Sequence, residues 1–365
     1  MEPATTESRS LTGQELAQYR VMARTRLKEL EATAKKSSPS SWIRPDGDKA
    51  WLDRRSDQCR YFDTHGFLVV KGFVDRKTVQ ALKDQMADLA DNDWDPSQSL
   101  DTFGTDSKSN TARGDYFLDS GNKVHYFAEP HALKEDGQLK TEFHEDKLAA
   151  LNKAGHGMHT IPGAFRDYTL SSKTRELVTM LGWTDPVVPQ SMYIFKQPKI
   201  GGTVHSHQDS TFLYTTPRQT CLGLWLALDD ATLENGCLWV RPGSHREPVR
   251  RQFLRNPDYF EKNDMNSPKL TFKKHHDNPS VTWEGALPDS LLNEDFVPVE
   301  VKAGDMVTFC GTLDHLSLPN FSSRQRHTFQ LHLVEGPQEG VEWSASNWLQ
   351  YPPNVPFLRL TSPQS

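Results

Sequence analysis

A histidine and an aspartate separated by one residue could supply two ligands of a metal centre. His207 and Asp209 stand in a segment, 204–209, that we predict to be a strand. Because successive side chains of a strand point to opposite faces, these two side chains should point the same way. A second histidine would complete a set of two imidazoles and one carboxylate on one octahedral face. That set is typical of non-haem iron(II) oxygenases and leaves coordination positions for other molecules.

We predict His315 as the third ligand because a suitable cation follows it. His315 comes after a predicted strand, Met306–Cys310, and Arg326 lies eleven residues later, in the predicted strand 325–334. A hairpin of this length would bring Arg326 back beside His315. Iron(II) with one carboxylate keeps a single positive charge, whereas a dicarboxylate such as 2-oxoglutarate brings two negative charges, so its distal carboxylate needs a buried cation. A guanidinium offers a two-pronged donor for that carboxylate, and Ser317 could add a hydroxyl.

The register of the ligand pair is open, because His205 lies on the same predicted strand face as His207. His205 could be a ligand, a partner of a ligand or, like Tyr193, a residue of the substrate pocket. The spacing of His207 and Asp209 is the tightest that keeps two side chains on one face, which favours His207 as the ligand. The remaining downstream histidines without an arginine at a matching distance are His275, His276, His327 and His332.

The composition is typical of a globular chain in a reducing compartment. Of the 365 residues, 36% are apolar and 25% are charged, and a formal net charge of −6 gives no general case for nucleic-acid binding. No apolar run reaches the roughly 18 residues of a membrane span. The four cysteines are scattered, which predicts reduced thiols. The first residues form no apolar signal core and the last ones no Ser-Lys-Leu address, so we expect a cytoplasmic protein.

The pattern of the chain changes to short strands with turns between them from about residue 187. Before that point, we predict a helix from about 13 to 35 that starts at a Thr12–Glu15 capping box, a strand at 116–117, and mostly helix over 144–182. The predicted parts are an N-terminal helical and irregular extension (1–57), one domain (58–355) with an insertion at about 246–296, and a tail (356–365). Together they indicate a mainly β fold with flanking helices, a jelly-roll barrel of the cupin kind.

Eight short motifs, in order over roughly residues 60–355, resemble those of one enzyme family. They are GFLV at 66–69, YFL at 116–118, QSMYIFKQP at 190–198, HQD at 207–209, FLYT at 212–215, DATLENGCLW at 230–239, PGSH at 242–245 and NWLQ at 347–350. With them the sequence resembles the phytanoyl-CoA dioxygenase family of iron(II)- and 2-oxoglutarate-dependent oxygenases. The resemblance does not cover residues 1–57, and the insertion is diverged.

The resemblance implies a double-stranded β-helix fold and assigns the site. Iron(II) would be bound by His207, Asp209 and His315, and the distal carboxylate of 2-oxoglutarate by Arg326 and Ser317. The positions that match the family's co-substrate pocket are Lys123, Met192, Gln208 and Trp225.

The resemblance also implies the reaction. Molecular oxygen and 2-oxoglutarate would be converted to succinate and carbon dioxide while a substrate C–H bond is hydroxylated, with ascorbate in support. Because Asp209 is intact, hydroxylation is favoured over halogenation, for which related enzymes replace this carboxylate with a small residue. The substrate would be a small molecule or an acyl compound, with a CoA thioester among the candidates, chosen by the loops 95–113 and 246–296. The alternative is a non-catalytic or differently metallated 2-oxoglutarate-binding protein, such as a sensor.

Overall fold

The computed structural model describes residues 12–36, 56–96, 114–136, 138–276 and 295–360. The helices are α1 (Gly13–Lys36), α2 (Asp57–His65), α3 (Arg76–Asp93), α4 (Asp115–Asp119), α5 (Ala164–Thr169), α6 (Ser172–Met180) and α7 (Pro257–Phe260). The strands are β1 (Phe67–Val70), β2 (Val124–Ala128), β3 (Leu151–His156), β4 (Pro186–Lys196), β5 (Val204–His207), β6 (Thr215–Thr216), β7 (Leu222–Ala227), β8 (Leu238–Val240), β9 (Arg251–Arg255), β10 (Leu270–Lys274), β11 (Val297–Val299), β12 (Met306–Cys310), β13 (His315–Ser317), β14 (Arg326–Glu335), β15 (Glu342–Trp343) and β16 (Leu358–Arg359).

Two antiparallel sheets face each other and enclose one cavity. The major sheet has the order β1-β12-β7-β14-β4-β3-β2, with β16 added beside β4, and the minor sheet has the order β11-β8-β13-β5. Residues of both sheets line the cavity between them. This arrangement confirms the predicted double-stranded β-helix fold.

Strand β7 shows how the major sheet separates a layer of helices from the barrel interior. Leu222, Leu224 and Leu226 join a buried cluster with residues of α3, α5 and α6, whereas Trp225 and Ala227 join the cluster that includes the minor sheet. Both faces of β7 are therefore covered. That explains why its sequence is apolar throughout instead of alternating with polar residues.

Helix α1 forms as predicted and packs on the barrel. The backbone N–H of Thr12 donates to the Glu15 carboxylate at 2.7 Å, and the Glu15 N–H donates to Thr12 Oγ1 at 3.3 Å, which is the capping box. Leu16, Tyr19 and Leu30 are buried in the cluster that includes the minor sheet. The N-terminal helix is thus part of the wall of the barrel. Residues 37–55 of the predicted extension (1–57) lie outside the described residues, and Asp57, at its predicted end, begins helix α2.

Two predicted elements before residue 187 are wrong. Residues 116–117 belong to helix α4, which follows Gly114 and carries an acidic residue, Asp115, in its first turn. Residues 151–156, predicted as helix, form β3, which lies between β2 and β4. Tertiary pairing on both edges explains this strand, because its local sequence does not favour one.

The described half of the predicted insertion is an ordered hairpin. Strands β9 and β10 pair antiparallel, with Phe253 opposite Phe272. Both rings pack against Phe212, with centroid distances of 5.5 and 6.4 Å. Residues 277–294 and the loop 97–113 lie outside the described residues. Of the helices that the structure describes, none has the length and apolar character needed to cross a bilayer.

Candidate active site

The predicted iron ligands converge on one wall of the cavity, which has a volume of about 250 Å³. His207 ends β5 and His315 opens β13, and the two residues are paired in register in the minor sheet. One ligand atom from each of His207, Asp209 and His315 can be chosen so that all three atoms lie within 4.8 Å of one another. Within the described part of the chain, this is the one such group that could hold a metal ion.

Hydrogen bonds fix both imidazoles in the tautomer that a metal needs. Nδ1 of His207 lies 2.7 Å from the carbonyl oxygen of His205, and Nδ1 of His315 lies 3.0 Å from that of Leu313. A carbonyl oxygen can only accept, so each Nδ1 carries the proton. Nε2 is therefore the atom that each imidazole can offer to a metal, and both Nε2 atoms face Asp209.

Asp209 reaches the two histidines from a turn and not from the strand that we predicted. Strand β5 ends at His207, and Asp209 opens a 3₁₀ turn, Asp209–Thr211. Its Oδ1 lies 3.3 Å from His207 Nε2 and 3.6 Å from His315 Nε2. The expected grouping of these side chains therefore holds, although the backbone that produces it differs.

The second oxygen of Asp209 contacts a histidine that the sequence analysis passed over. His332, on β14, places Nε2 3.0 Å from Asp209 Oδ2, and its Nδ1 is buried without a hydrogen-bond partner among the described residues. His315 was predicted as a ligand because an arginine follows it at a suitable distance, and no such arginine follows His332. A signal was available in the parity of β14, because Arg326 and His332 are both even-numbered and fall on the same strand face.

The protonation states within this group suit metal binding. Burial raises the pKa of Asp209, but the neighbouring His315 and His332 and the hydrogen bond from His207 outweigh it and hold that pKa well below the usual range. Burial lowers the pKa of His315 to about 4. At neutral pH the group therefore offers an ionised carboxylate at Asp209 and a neutral imidazole at His315. Burial lowers the pKa of His207, but the hydrogen bond and the charge of Asp209 outweigh burial and raise that pKa. These donors fit iron(II), which accepts imidazole and carboxylate ligands together.

Arg326 supplies a buried positive charge at the other end of the cavity. Its residue surface is 2% exposed, and its Nη2 donates to the Gly236 carbonyl at 3.1 Å and its Nη1 to Thr328 Oγ1 at 3.3 Å. The guanidinium carbon lies 5.3 Å from the centre of the Trp225 ring. Within the described residues Arg326 forms no ion pair, and its Nε has no acceptor. Burial lowers its pKa to about 10, which still leaves it charged at neutral pH.

The hairpin that we expected to join His315 and Arg326 does not form. Strand β13 belongs to the minor sheet and β14 to the major sheet, so His315 and Arg326 lie in opposite walls. Both side chains nevertheless line the same cavity. His315 and Arg326 share the cavity because the segment between them crosses from the minor sheet to the major sheet, and not because they form a hairpin.

Ser317 lies in the cavity wall, with a lysine that the sequence analysis did not single out. Ser317 Oγ donates to the Gly236 carbonyl at 2.8 Å and accepts from Lys196 Nζ at 2.9 Å. Lys196 is buried and stands directly opposite Arg326 in the pairing of β4 with β14. Burial and the neighbouring guanidinium hold the pKa of Lys196 well below its usual range. Lys196 has the same parity on β4 as Met192, a signal that could have identified it.

Met192 and Trp225 line the cavity, whereas two other candidates do not. Tyr193 alternates with Met192 along β4, so its side chain lies in the core behind the sheet, where its hydroxyl bonds His327 Nδ1 at 2.8 Å. His205 is half-buried and lies outside the cavity wall, and its carbonyl instead orients His207. The structure thus does not bring either residue to a substrate pocket.

The structure also does not bring Gln208 or Lys123 to the cavity. Gln208 points away from its neighbours His207 and Asp209, and its amide Nε2 donates to the Thr312 carbonyl at 2.9 Å. Lys123 is exposed and pairs with Asp119 at 2.7 Å. Besides Lys196, the cavity is lined by Lys153, on β3, which is 1% exposed.

The chain is similar in sequence to known proteins over most of its length. The family model of phytanoyl-CoA dioxygenase (PhyH) matches residues 62–328. A protein of Arabidopsis thaliana named phytanoyl-CoA dioxygenase is 40% identical over 294 residues, which are 80% of this chain and 93% of that protein. The phytanoyl-CoA dioxygenase domain-containing protein 1 of Mus musculus is 38% identical over 308 residues, 84% of this chain and 98% of that protein.

Solved structures support the fold alone, because their sequences are distant. The epimerase SnoN, in complex with Fe3+, alpha ketoglutarate and nogalamycin RO, superposes with a TM-score of 0.51 at 15% identity and covers 86% of this chain and 100% of its own. EctD from S. alaskensis, with 2-oxoglutarate and 5-hydroxyectoine, gives a TM-score of 0.50 at 16% identity and covers 81% of each chain. With the family model and the two relatives, the conclusion is that this chain belongs to the phytanoyl-CoA dioxygenase family of iron(II)- and 2-oxoglutarate-dependent oxygenases.

Proposed function

We propose that this protein is a dioxygenase that hydroxylates a C–H bond of a small-molecule or acyl substrate and releases succinate and carbon dioxide from 2-oxoglutarate. One observation carries the proposal. A cluster of two imidazoles and a carboxylate shares a cavity with a buried guanidinium that has no ion-pair partner among the described residues. A metal ion and a dicarboxylate together would satisfy both ends of that cavity.

His207, Asp209 and His315 would hold the iron. Asp209 is ionised and His315 is neutral, as ligation requires, whereas at His207 a metal would compete with a proton that Asp209 stabilises. Bound iron(II) would supply, with 2-oxoglutarate and oxygen, the oxidising chemistry of the reaction. His332 would keep the carboxylate of Asp209 in one orientation, because it occupies the oxygen that does not face the two ligand histidines.

Arg326 would bind the distal carboxylate of 2-oxoglutarate. Its Nε is buried without an acceptor among the described residues, and an anion would relieve the cost of burying that group. Lys196 lies opposite it and contributes a second group of donors. Met192 and Trp225 would shield the co-substrate from water from both sides of β14.

The substrate would bind in the part of the cavity that aromatic side chains line. Phe117, Phe212 and Trp348 line the cavity, and Phe212 lies with its ring centre 6.0 Å from that of His207. Apolar rings beside a metal ligand favour an apolar carbon chain or ring near the iron. The names of the relatives suggest a CoA thioester as one member of the acyl class, and ascorbate would support turnover by keeping the iron reduced.

The test is turnover of 2-oxoglutarate by the purified protein. With Fe(II), oxygen and ascorbate, the protein should form succinate slowly alone and faster with a cell extract, in which one metabolite gains an oxygen atom. The Asp209→Ala variant, handled identically, should form none. Absence of succinate in both conditions from protein that binds Fe(II) and 2-oxoglutarate would refute the proposal and favour a binding protein.

A further inference from the structure

The residues that alternate with the three proposed iron ligands meet on the outer side of the ligand strands. Ser206 precedes His207, Gln208 separates His207 from Asp209, and Asp314 precedes His315. Because the ligands point into the cavity, these three neighbours point away from it. All three are buried, so each needs hydrogen-bond partners there.

One arginine contacts two of these three residues directly. Arg250 forms a two-pronged pair with Asp314, with Nη1–Oδ2 and Nη2–Oδ1 distances of 2.8 and 2.6 Å. Its backbone N–H donates to Gln208 Oε1 at 3.1 Å. The third, Ser206, donates its hydroxyl to Asp314 Oδ1 at 2.7 Å. Arg250 and Asp314 therefore join the segment 206–209 to the residue before His315.

The centre of the network is buried, and its charges are balanced. Asp314 has no exposed surface, and Arg250 is 7% exposed. Arg241 adds a bond to Asp314 Oδ2 at 3.0 Å and pairs with Glu247. Two arginines thus face two carboxylates. Buried ion pairs of this kind contribute little net stability, since desolvation offsets their attraction, but a two-pronged pair strongly favours one geometry.

We propose that Arg250 is a positioning residue for the iron centre, an inference that rests on the proposed function. Through Asp314 and Gln208 it fixes the backbone from which His207, Asp209 and His315 project. Arg250 also lies inside the predicted insertion 246–296, directly before β9. The affinity of the metal site therefore depends on an element that the barrel strands themselves do not provide.

The test compares metal affinity and stability in matched variants. Mn(II) is the probe, because it takes the same ligands without reacting with oxygen, and its dissociation constant is measured by calorimetry on the full chain. Arg250→Met should weaken Mn(II) binding by about 10-fold or more, the usual range for residues that orient metal ligands. Arg250→Lys keeps the positive charge but loses the two-pronged donor, so its Mn(II) affinity should lie between those of the wild type and Arg250→Met.

The control is an arginine that pairs with another buried aspartate, outside the ligand segments 206–209 and 314–315. Arg359, on β16, pairs with Asp185, which is 2% exposed. Arg359→Met should lower the melting temperature and leave the Mn(II) dissociation constant within about twofold, because it breaks a comparable pair without touching the ligand segments.

Two further variants separate positioning from plain stability. In Arg250→Met combined with Asp314→Leu, the buried carboxylate that lost its two-pronged partner is gone, so the melting temperature should recover in part while Mn(II) binding stays weak. If Arg250→Met does not fold, Ser206→Ala removes only one hydroxyl and should still weaken Mn(II) binding several-fold.

The inference is overturned if the foldable variants among Arg250→Met and Ser206→Ala bind Mn(II) as the wild type does. A different result would refute the proposed function itself. If Asp209→Ala binds Mn(II) like the wild type, the metal does not occupy the proposed site, and the positioning role falls with it.

Discussion

Replacement of Arg326 by alanine should weaken the binding of 2-oxoglutarate while leaving the metal in place. The guanidinium is 2% exposed, and its contacts within the described residues are to a carbonyl and a hydroxyl, not to a carboxylate. A carboxylate bound there would gain a charge-assisted pair in a largely dry environment. Truncation of one partner of such a pair costs roughly 2–5 kcal/mol. Since about 1.4 kcal/mol is tenfold in a dissociation constant, affinity should fall by about 30-fold to about 5,000-fold.

The assay is calorimetric titration of 2-oxoglutarate into the Mn(II)-loaded protein without oxygen. Arg324→Ala is the control, because Arg324 lies two residues away but is exposed, and its variant should bind as the wild type does. Arg326→Lys keeps a charge without the fork and should recover part of the affinity. An unchanged dissociation constant in Arg326→Ala would refute the assignment of this residue, and loss of Mn(II) would show that it supports the fold instead.

Four further outcomes are expected. Asp209→Ala should abolish Mn(II) binding, and His205→Ala should change the Mn(II) affinity by no more than a few-fold. If calorimetry shows that His205→Ala abolishes Mn(II) binding while Asp209→Ala retains it, the assignment of the ligands is wrong. His332→Leu should weaken Mn(II) binding about 10- to 100-fold in the same titration, because Asp209 loses its orienting contact, and wild-type affinity would count against that role. Burial lowers the pKa of His159 to about 3, so below about pH 6.5 the unfolded chain takes up a proton that the folded state excludes. The free energy of unfolding should therefore fall by up to about 1.4 kcal/mol per pH unit from about pH 6.5 downwards. Thermal unfolding of His159→Gln should depend less steeply on pH than that of the wild type, and an equal slope would contradict this origin. Replacing 257–268, the tip of the β9–β10 hairpin, by a short Gly/Ser linker should preserve Mn(II) affinity, because Arg250 and both strands remain, and a loss measured by calorimetry would show that the tip itself supports the site.

The sequence predicted the parts of the site that depend on local periodicity. The spacing of His207 and Asp209 is a property of a few consecutive residues. The strands predicted at 204–209, 306–310 and 325–334 end within two residues of β5, β12 and β14. Although Asp209 begins a turn instead of continuing the strand, its carboxylate still lies beside the imidazole of His207.

Other parts depend on which strands pair, and local sequence does not determine that. His315 and Arg326 were expected to share a hairpin, but they lie in opposite sheets. Lys196 contributes to the site because β4 and β14 place it opposite Arg326. The pairing of β3 with two neighbours, which overrides its local preference, brings Lys153 into the cavity where Lys123 had been expected.

The insertion shows a different limit. Its length and polar composition predicted a loop that chooses the substrate, and from those features alone the removal of residues 250–280 would be expected to spare iron binding. The structure contains an ordered hairpin there, with Arg250 buried against Asp314. A buried arginine cannot be distinguished from a solvated one by composition, because only its partners reveal the difference. Removal of 250–280 is therefore now expected to damage the metal site.

The most direct test of the metal and co-substrate site is a crystal structure of the protein with Mn(II) and 2-oxoglutarate, grown without oxygen and measured with anomalous diffraction. The account predicts one strong anomalous peak bound by Nε2 of His207, Nε2 of His315 and the carboxylate of Asp209. It also predicts that the distal carboxylate of 2-oxoglutarate contacts Arg326. A peak at other residues, or a distal carboxylate that lies away from Arg326, would contradict it.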